Sequence, residues 1–261
     1  MKIGLLLPSI LASKKYSTDR IFAPMVLAVD LANGLVDKGH EVVFYTASDI
    51  KTKAKVVAGD DGLTNRDLTY RQFMSRSRIE QKFTITEVIK RDYEYYLTLQ
   101  AYQDALRGKL DIIHSFHDFG AHYFNELTKF PTLYTFHDPL PQDKNTIEYL
   151  RFSKFPNHNY VSISNSQRNG ILNLNFIATV YHGIDINLYD FEEKDEGYLI
   201  YFGRIIEEKG IDLAIQVALS LKMPLKIATS PQFIKRVAKY FNQKIAPFID
   251  GKNISLLGFL E

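Results

Sequence analysis

Cysteine is absent from all 261 residues. Without a thiol there is no disulfide framework, no thiolate nucleophile and no thiolate metal site, a composition that suits a reducing compartment. The cytoplasm is the expected location. An excess of positive charge is missing as well: 32 Lys and Arg face 30 Asp and Glu, a formal charge of +2. That is too little to neutralise a phosphate backbone, so no nucleic-acid partner is expected. No apolar run approaches the ~18 residues of a spanning helix, which leaves peripheral contact as the only kind of membrane contact. Lys2 followed by Ile3 to Ala12 superficially resembles a short signal peptide, but Pro8 interrupts it and Ile10 sits where a small residue should precede Ala12. The segment reads instead as a buried first strand.

Several chemical fingerprints are missing too. There is no G-x-G-x-x-G, no G-K-[ST] and no G-x-S-x-G, so dinucleotide, P-loop and serine-hydrolase readings have nothing to stand on. His114, His117 and His122 lie close in sequence, and imidazoles are common zinc ligands. They come with no Cys and no Glu in zinc-protease spacing, so no metal site is expected.

What is present is a globular composition, 46% hydrophobic and 24% charged, enough for a real core. At about 150 residues per domain the length gives one large or two modest domains. Residues 2–7 form an apolar run. Phe22, Met25, Val29, Ala32 and Val36 then recur at the spacing of one helix face. Pro24 forces that helix to start late or kink. Lys38-Gly39-His40 stops it, and residues 41–46 read as the next strand.

Residues 51–91 hold ten Lys or Arg against five Asp or Glu without a clean period and read as an excursion away from the sheet. Such a stretch is a solvated face or, more pointedly, a contact for an acceptor or an anionic surface. Tyr95, Leu99, Tyr102 and Leu106 suggest the core stripe of a helix. β-rich runs follow at 111–115, 132–136, 160–164, 177–181, 198–203, 225–228 and 254–257, with helical patterns at 211–221 and 233–241. Strands alternating with helices predict an α/β fold of parallel sheets. The acidic segment 191–197 reads as a linker and places a domain boundary near 190, with domains of 1–190 and 191–261.

The most informative stretch is Tyr201-Phe202-Gly203-Arg204-Ile205-Ile206-Glu207-Glu208-Lys209-Gly210-Ile211-Asp212. It reads as a strand end, a Gly, an Arg, a Lys five positions later and a helix start. Open α/β sheets bind ligands outside the carboxyl ends of their strands, and a helix N-terminus favours anions. Arg204 and Lys209 add positive charge there, so the residues suit a diphosphate; on spacing alone they also suit two ordinary surface cations.

Gly203-Arg204-x4-Lys209-Gly210 resembles the signature of the retaining, nucleotide-sugar-dependent glycosyltransferases of family four, which have the GT-B fold of two Rossmann-like domains. Four further stretches resemble that family in order: Lys38-Gly39-His40-Glu41-Val42, Tyr134-Thr135-Phe136-His137-Asp138, Ser162-Ile163-Ser164-Asn165-Ser166 and Tyr181-His182-Gly183-Ile184-Asp185. The resemblance implies a complete N-terminal, acceptor-side Rossmann-like domain and a partial nucleotide-sugar-side one. It implies transfer of a sugar from a nucleoside diphosphate sugar to an acceptor whose identity is open, with retention at the anomeric carbon and with neither a cofactor nor an essential metal. The lack of any Asp-x-Asp agrees with the last point.

By the same resemblance, Arg204 and Lys209 stabilise the departing diphosphate and His137 acts near the reacting sugar. Gly203 belongs to the donor site, as do Ser17 and Thr18, which occupy the place of the family's Gly-rich turn; Ser17 stands where Gly is typical, and the pair also suits a plain helix cap. The family's two Glu separated by seven residues would lie beyond Gly258-Phe259-Leu260-Glu261. A fragment, a complementing chain or oligomer, and a non-catalytic nucleotide-binding or assembly subunit are the readings that follow.

Overall fold

The computed structural model describes residues 1–14, 22–60, 85–116, 119–135, 137–229, 237–258 and 260, with the side chains of 85–89 outside that description. The chain divides into two compact units, Met1–Ile184 and Asp185–Glu261.

In the first unit β1 (Lys2–Leu6) pairs in parallel with both β2 (Glu41–Thr46) and β4 (Ile112–Ser115). β3 (Lys55–Ala58), β5 (Thr132–Thr135), β6 (Asn159–Ser162) and β7 (Phe176–Thr179) complete a parallel sheet of order β3-β2-β1-β4-β5-β6-β7. The chain therefore builds outward from β1 to one edge, returns, and builds outward again from β4. The strand order reverses between β1 and β4, where such sheets leave a crevice at their carboxyl ends.

Alternation along the strands sorts side chains to the two faces. Leu5, Leu7, Val42 and Phe44 pack with Ala28 and Ala32 of α1 (Ala23–Asp37). Leu6, Tyr45 and Ile113 pack on the opposite side with Tyr93, Leu97, Ala101 and Tyr102 of α2 (Ile85–Leu106). Leu5, Leu6 and Leu7 are all fully buried, each contributing about 1.5–3 kcal/mol of apolar transfer free energy.

Pro24 falls in the first turn of α1, where its missing N–H has no partner to lose. The helix ends as the sequence suggests: Gly39 takes a φ of +82° and the His40 N–H reaches back to the Leu35 carbonyl at 3.1 Å, closing a Schellman motif.

Two expectations are corrected. The basic stretch is not wholly an excursion, because β3 forms the sheet edge, in register with Val43–Thr46. It is tied down by Asn33 Oδ1, which accepts from Thr52 Oγ1 (2.8 Å) and the Lys53 N–H (2.7 Å), and by a Lys53–Asp37 ion pair. The stripe of α2 is also turned: Tyr95 and Leu106 are exposed, and the buried face runs through Tyr93, Leu97, Ala101, Tyr102 and Ala105.

α3 (Gly120–Thr128) carries His122, stacked on Tyr134 with ring centroids 4.0 Å apart. Its Nδ1 meets His158 Nδ1 at 2.8 Å, and His158 Nε2–H donates to Glu126 at 2.9 Å. α4 (Ile147–Phe152) is capped by Thr146, whose hydroxyl accepts from the Tyr149 N–H.

The second unit is a parallel sheet of order β10-β9-β8, with β8 at Leu199–Phe202, β9 at Leu225–Ala228 and β10 at Ile254–Gly258. Helices α5 (Ile211–Leu221) and α6 (Ala238–Lys244) accompany it, around a core of Ile205, Ile211, Ile215, Ala218, Leu225, Ile227, Ile245 and Ile254. The acidic segment 191–197 lies in this unit and is exposed throughout. Among the described residues no helix is long and apolar enough to cross a membrane.

Candidate active site

The connection from β8 to α5 is shaped residue by residue. Gly203 leaves the strand with a φ of +148°, and Gly210 enters the helix at φ +65°, ψ +31°. Both are conformations that a side chain resists and glycine adopts freely. Between them Ile205 is fully buried in the core and anchors the loop. The Tyr201 hydroxyl (2.9 Å) and the Ile206 N–H (3.0 Å) both donate to the Arg204 carbonyl.

The loop then tightens into one 3-10 turn, Glu207–Lys209, whose last N–H donates to Ile206. Arg204 and Lys209 are exposed, and neither forms an ion pair among the described residues. The start of α5 is fixed by Tyr240, whose hydroxyl donates to Asp212 at 3.0 Å. Burial, reinforced by that carboxylate, pushes the phenol up to about 12.

In the first unit the ends of β4, β5 and β7 bring a second group of residues together. His137 Nε2 lies 2.9 Å from the Phe116 carbonyl, and its ring sits against the Phe116 ring at 4.6 Å. A carbonyl only accepts, so His137 Nε2 carries a hydrogen. His137 Nδ1 is 3.2 Å from His182 Nε2, with the two rings stacked at 5.1 Å and 17°. In the neutral pair His182 Nε2–H is therefore the donor.

Behind them His114 is half-buried and hydrogen-bonded to Thr135 Oγ1 at 2.9 Å. Burial, with help from neighbouring His137, lowers its pKa to about 4. Gln167 braces the loop after His137: it accepts from the Ile163 N–H (2.8 Å) and donates to the Asp138 carbonyl (2.9 Å).

Arg204, Lys209 and Gly203 thus share one loop of the second unit, and His137 belongs to the first. Ser17, Thr18 and His117 lie outside the described residues. Among the described residues no trio of His, Cys, Asp or Glu could hold a metal ion. His182, Gln167 and Phe116 are the neighbours of His137 that sequence reasoning leaves unassigned. The only signal for His182 is its place in the Tyr181–Asp185 stretch, where it serves as part of a resemblance and not as a partner.

The family model described as Glycosyltransferase Family 4 matches residues 26–188, more than half of the chain. The chain belongs to glycosyltransferase family 4. Solved structures show the same fold. A sucrose-phosphate synthase from Thermosynechococcus elongatus matches with a TM-score of 0.63 at 11% identity, covering 100% of this chain and 71% of that one. A glycosyltransferase from Rickettsia africae ESF-5 matches with a TM-score of 0.54 at 14% identity, covering 100% and 68%. AviGT4, a glycosyltransferase involved in avilamycin A biosynthesis, matches with a TM-score of 0.53 at 15% identity, covering 99% and 64%. No curated protein matches the sequence. The architecture is the α/β GT-B fold, and the protein is a glycosyltransferase enzyme; the reading as a non-catalytic assembly subunit is not favoured.

Proposed function

We propose that this glycosyltransferase draws its sugar from a nucleoside diphosphate sugar and passes it to an acceptor with retention of anomeric configuration, without an essential metal, in the cytoplasm. The observation that carries the reading is the β8–α5 loop, where two exposed cations, without an ion pair among the described residues, stand between two glycines at a strand's carboxyl end. As the bond to the sugar breaks, negative charge grows on the diphosphate. Cations already in place stabilise that state more than the ground state. Arg204 presents a planar fork to two oxygens and Lys209 a compact charge, which is the work a divalent ion does in metal-dependent enzymes.

His137 acts near the reacting sugar, with His182 as its partner across the 3.2 Å contact. The His182 Nε2–H donated to His137 Nδ1 holds the His137 ring in a fixed orientation. Gly203 gives the donor room at the loop, and the family resemblance assigns Ser17 and Thr18 to donor binding. Retention rests on the family resemblance, and the cytoplasmic setting on a chain without cysteine.

Calorimetric titration with a panel of nucleoside diphosphates tests the assignment. Arg204→Ala and Lys209→Ala are each expected to weaken binding by about 1.5–3 kcal/mol, the worth of a charge-assisted hydrogen bond. Unchanged titrations in both variants would refute it. Activity that survives chelation, and a product whose anomeric signal by NMR matches the donor's, are the expected results for the other two elements.

A further inference from the structure

Past β5 the chain that carries His137 runs on as Asp138-Pro139-Leu140-Pro141-Gln142, a stretch with neither helix nor strand. Its two prolines have no N–H to give and hold φ near about −65°. The stretch is stiff, rich in carbonyls and poor in donors, so its carbonyls need donors from elsewhere.

Those donors are glutamine amides. Gln167 is the buried residue of a 3-10 turn, Ser166–Arg168. Its Nε2–H donates to the Asp138 carbonyl at 2.9 Å, and its Oε1 accepts from the Ile163 N–H at 2.8 Å. A backbone N–H only donates, so the amide has one orientation, oxygen towards Ile163 and nitrogen towards the loop. Gln142 ties the far end, its Nε2–H groups donating to the Asn169 carbonyl (2.7 Å) and the Leu140 carbonyl (3.3 Å). Between the two ties Gly170 lies against buried Leu140, and a Cβ on Gly170 would collide with the Leu140 Cβ. The loop is thus fastened to segment 163–171 through Asp138, Leu140 and Gln142.

The His137 ring is held at its tip by the Phe116 carbonyl and His182. Its backbone is held by this loop. A reacting group has to be placed from both ends, because a shift of about 1 Å can cost about a hundredfold in rate.

We propose that Gln167 is a positioning residue of the transfer reaction: through the Asp138 carbonyl it fixes the backbone of the His137 loop, and with it the place where the imidazole meets the reacting sugar. The role depends on that of His137 and extends it by one residue. Glutamine is the side chain the place requires, since a glutamate of the same shape would still accept from Ile163 but would set a second acceptor against the Asp138 carbonyl.

Gln167→Glu in the full chain therefore removes the donor alone, and Gln142→Ala removes the outer tie from an exposed position. Proton–nitrogen spectra of the imidazoles, with the His137 signals identified by their loss in His137→Ala, read the ring without any substrate. Release of nucleoside diphosphate from whichever member of a panel of UDP-, GDP- and dTDP-sugars the parent turns over fastest reads the reaction. Gln167→Glu is expected to displace the His137 signals, to lower kcat about tenfold to a hundredfold and to leave KM for the donor within about twofold. Gln142→Ala is expected to act in the same direction, by about threefold in kcat. Melting temperatures close to the parent's will show that both variants are folded.

Unmoved His137 signals or an undiminished kcat in Gln167→Glu would overturn the proposal, as would a KM that rises while kcat falls, the pattern of general loosening. Full activity in His137→Ala, with the His137 signals of Gln167→Glu still displaced, would overturn the part of His137 and with it that of Gln167, leaving a clamp on the loop alone. A parent silent on the whole panel would refute the donor class, and the displaced or unmoved His137 signals would then decide for or against Gln167 by themselves.

Discussion

The hydrogen-bond order around His137 has a mechanistic consequence. Its Nε2–H is committed to the Phe116 carbonyl and its Nδ1 to His182, so it cannot reorient without breaking two contacts. His182 is consequently a positioning residue, and its chemistry can be separated from its bulk. His182→Phe keeps the stacked ring but removes the N–H donor, while His182→Gln restores an N–H near the same place. The Phe variant is expected to lower kcat about tenfold with little change in KM and to move the acidic limb of the pH–rate profile. The Gln variant should recover most of that loss. A kcat that falls equally in both, with an unmoved profile, would make the contact merely structural. His182 is exposed, so stability should change by less than about 0.5 kcal/mol.

Gly203, Arg204, Lys209 and Gly210 are legible because strand end, loop and helix start are contiguous, and the loop geometry is local. The pairing of His137 with His182 spans 45 positions and exists only because β5 and β7 end on the same side of one sheet. No local pattern encodes it.

Among the elements, α2 shows how a helix face can be misread. Tyr95, Leu99, Tyr102 and Leu106 and the set Tyr93, Leu97, Ala101 and Ala105 both recur at helical spacing, and of the first set only Tyr102 is buried with the second. Large side chains dominate a hydrophobic count, yet the helix approaches the sheet through alanines, whose small size permits close packing. Tyr covers both faces, since its hydroxyl suits water and its ring suits a core.

The corrected phase makes a contrast that can be measured. Leu97 is fully buried whereas Leu106 is 64% exposed. Leu97→Ala should cost about 2–5 kcal/mol and Leu106→Ala no more than about 0.5, read from urea midpoints at constant m. β3 is illegible in the sequence for a different reason. It is a short edge strand whose first residue is Lys55, and its tie to α1 runs through Asn33 and Asp37, outside its own sequence.

For the whole molecule, two imidazoles, buried His122 and half-buried His114, contribute to the response to acid. Burial lowers His114 to about 4 and His122 to about 3 from an ordinary 6.5; neighbouring His137 and His158, respectively, add to the effect. Below pH 6.5 the unfolded chain takes up protons that these folded positions refuse. Stability therefore falls as pH falls, by up to about 1.4 kcal/mol per pH unit for each, levelling off near pH 4 for His114 and pH 3 for His122. Urea midpoints at pH 7, 6 and 5 should drop in that order, and His122→Phe, which keeps the stack on Tyr134, should remove about half of the contribution from this pair. A flat profile would show that both rings charge without cost. The alternation of strand and helix that makes the α/β class readable is a property of the whole chain and does not depend on any single short strand such as β3.

The exposed stretch from 181 to 197 ties together two bodies that carry different parts of the proposed reaction. It offers aromatic cleavage points at Tyr181, Tyr189 and Phe191, each well exposed. Brief chymotrypsin treatment should nick there first. Pieces purified apart afterwards would divide the labour, one keeping His137 and the other keeping Arg204 and Lys209, so that sugar transfer stops while nucleotide retention on an affinity resin follows the lighter piece alone.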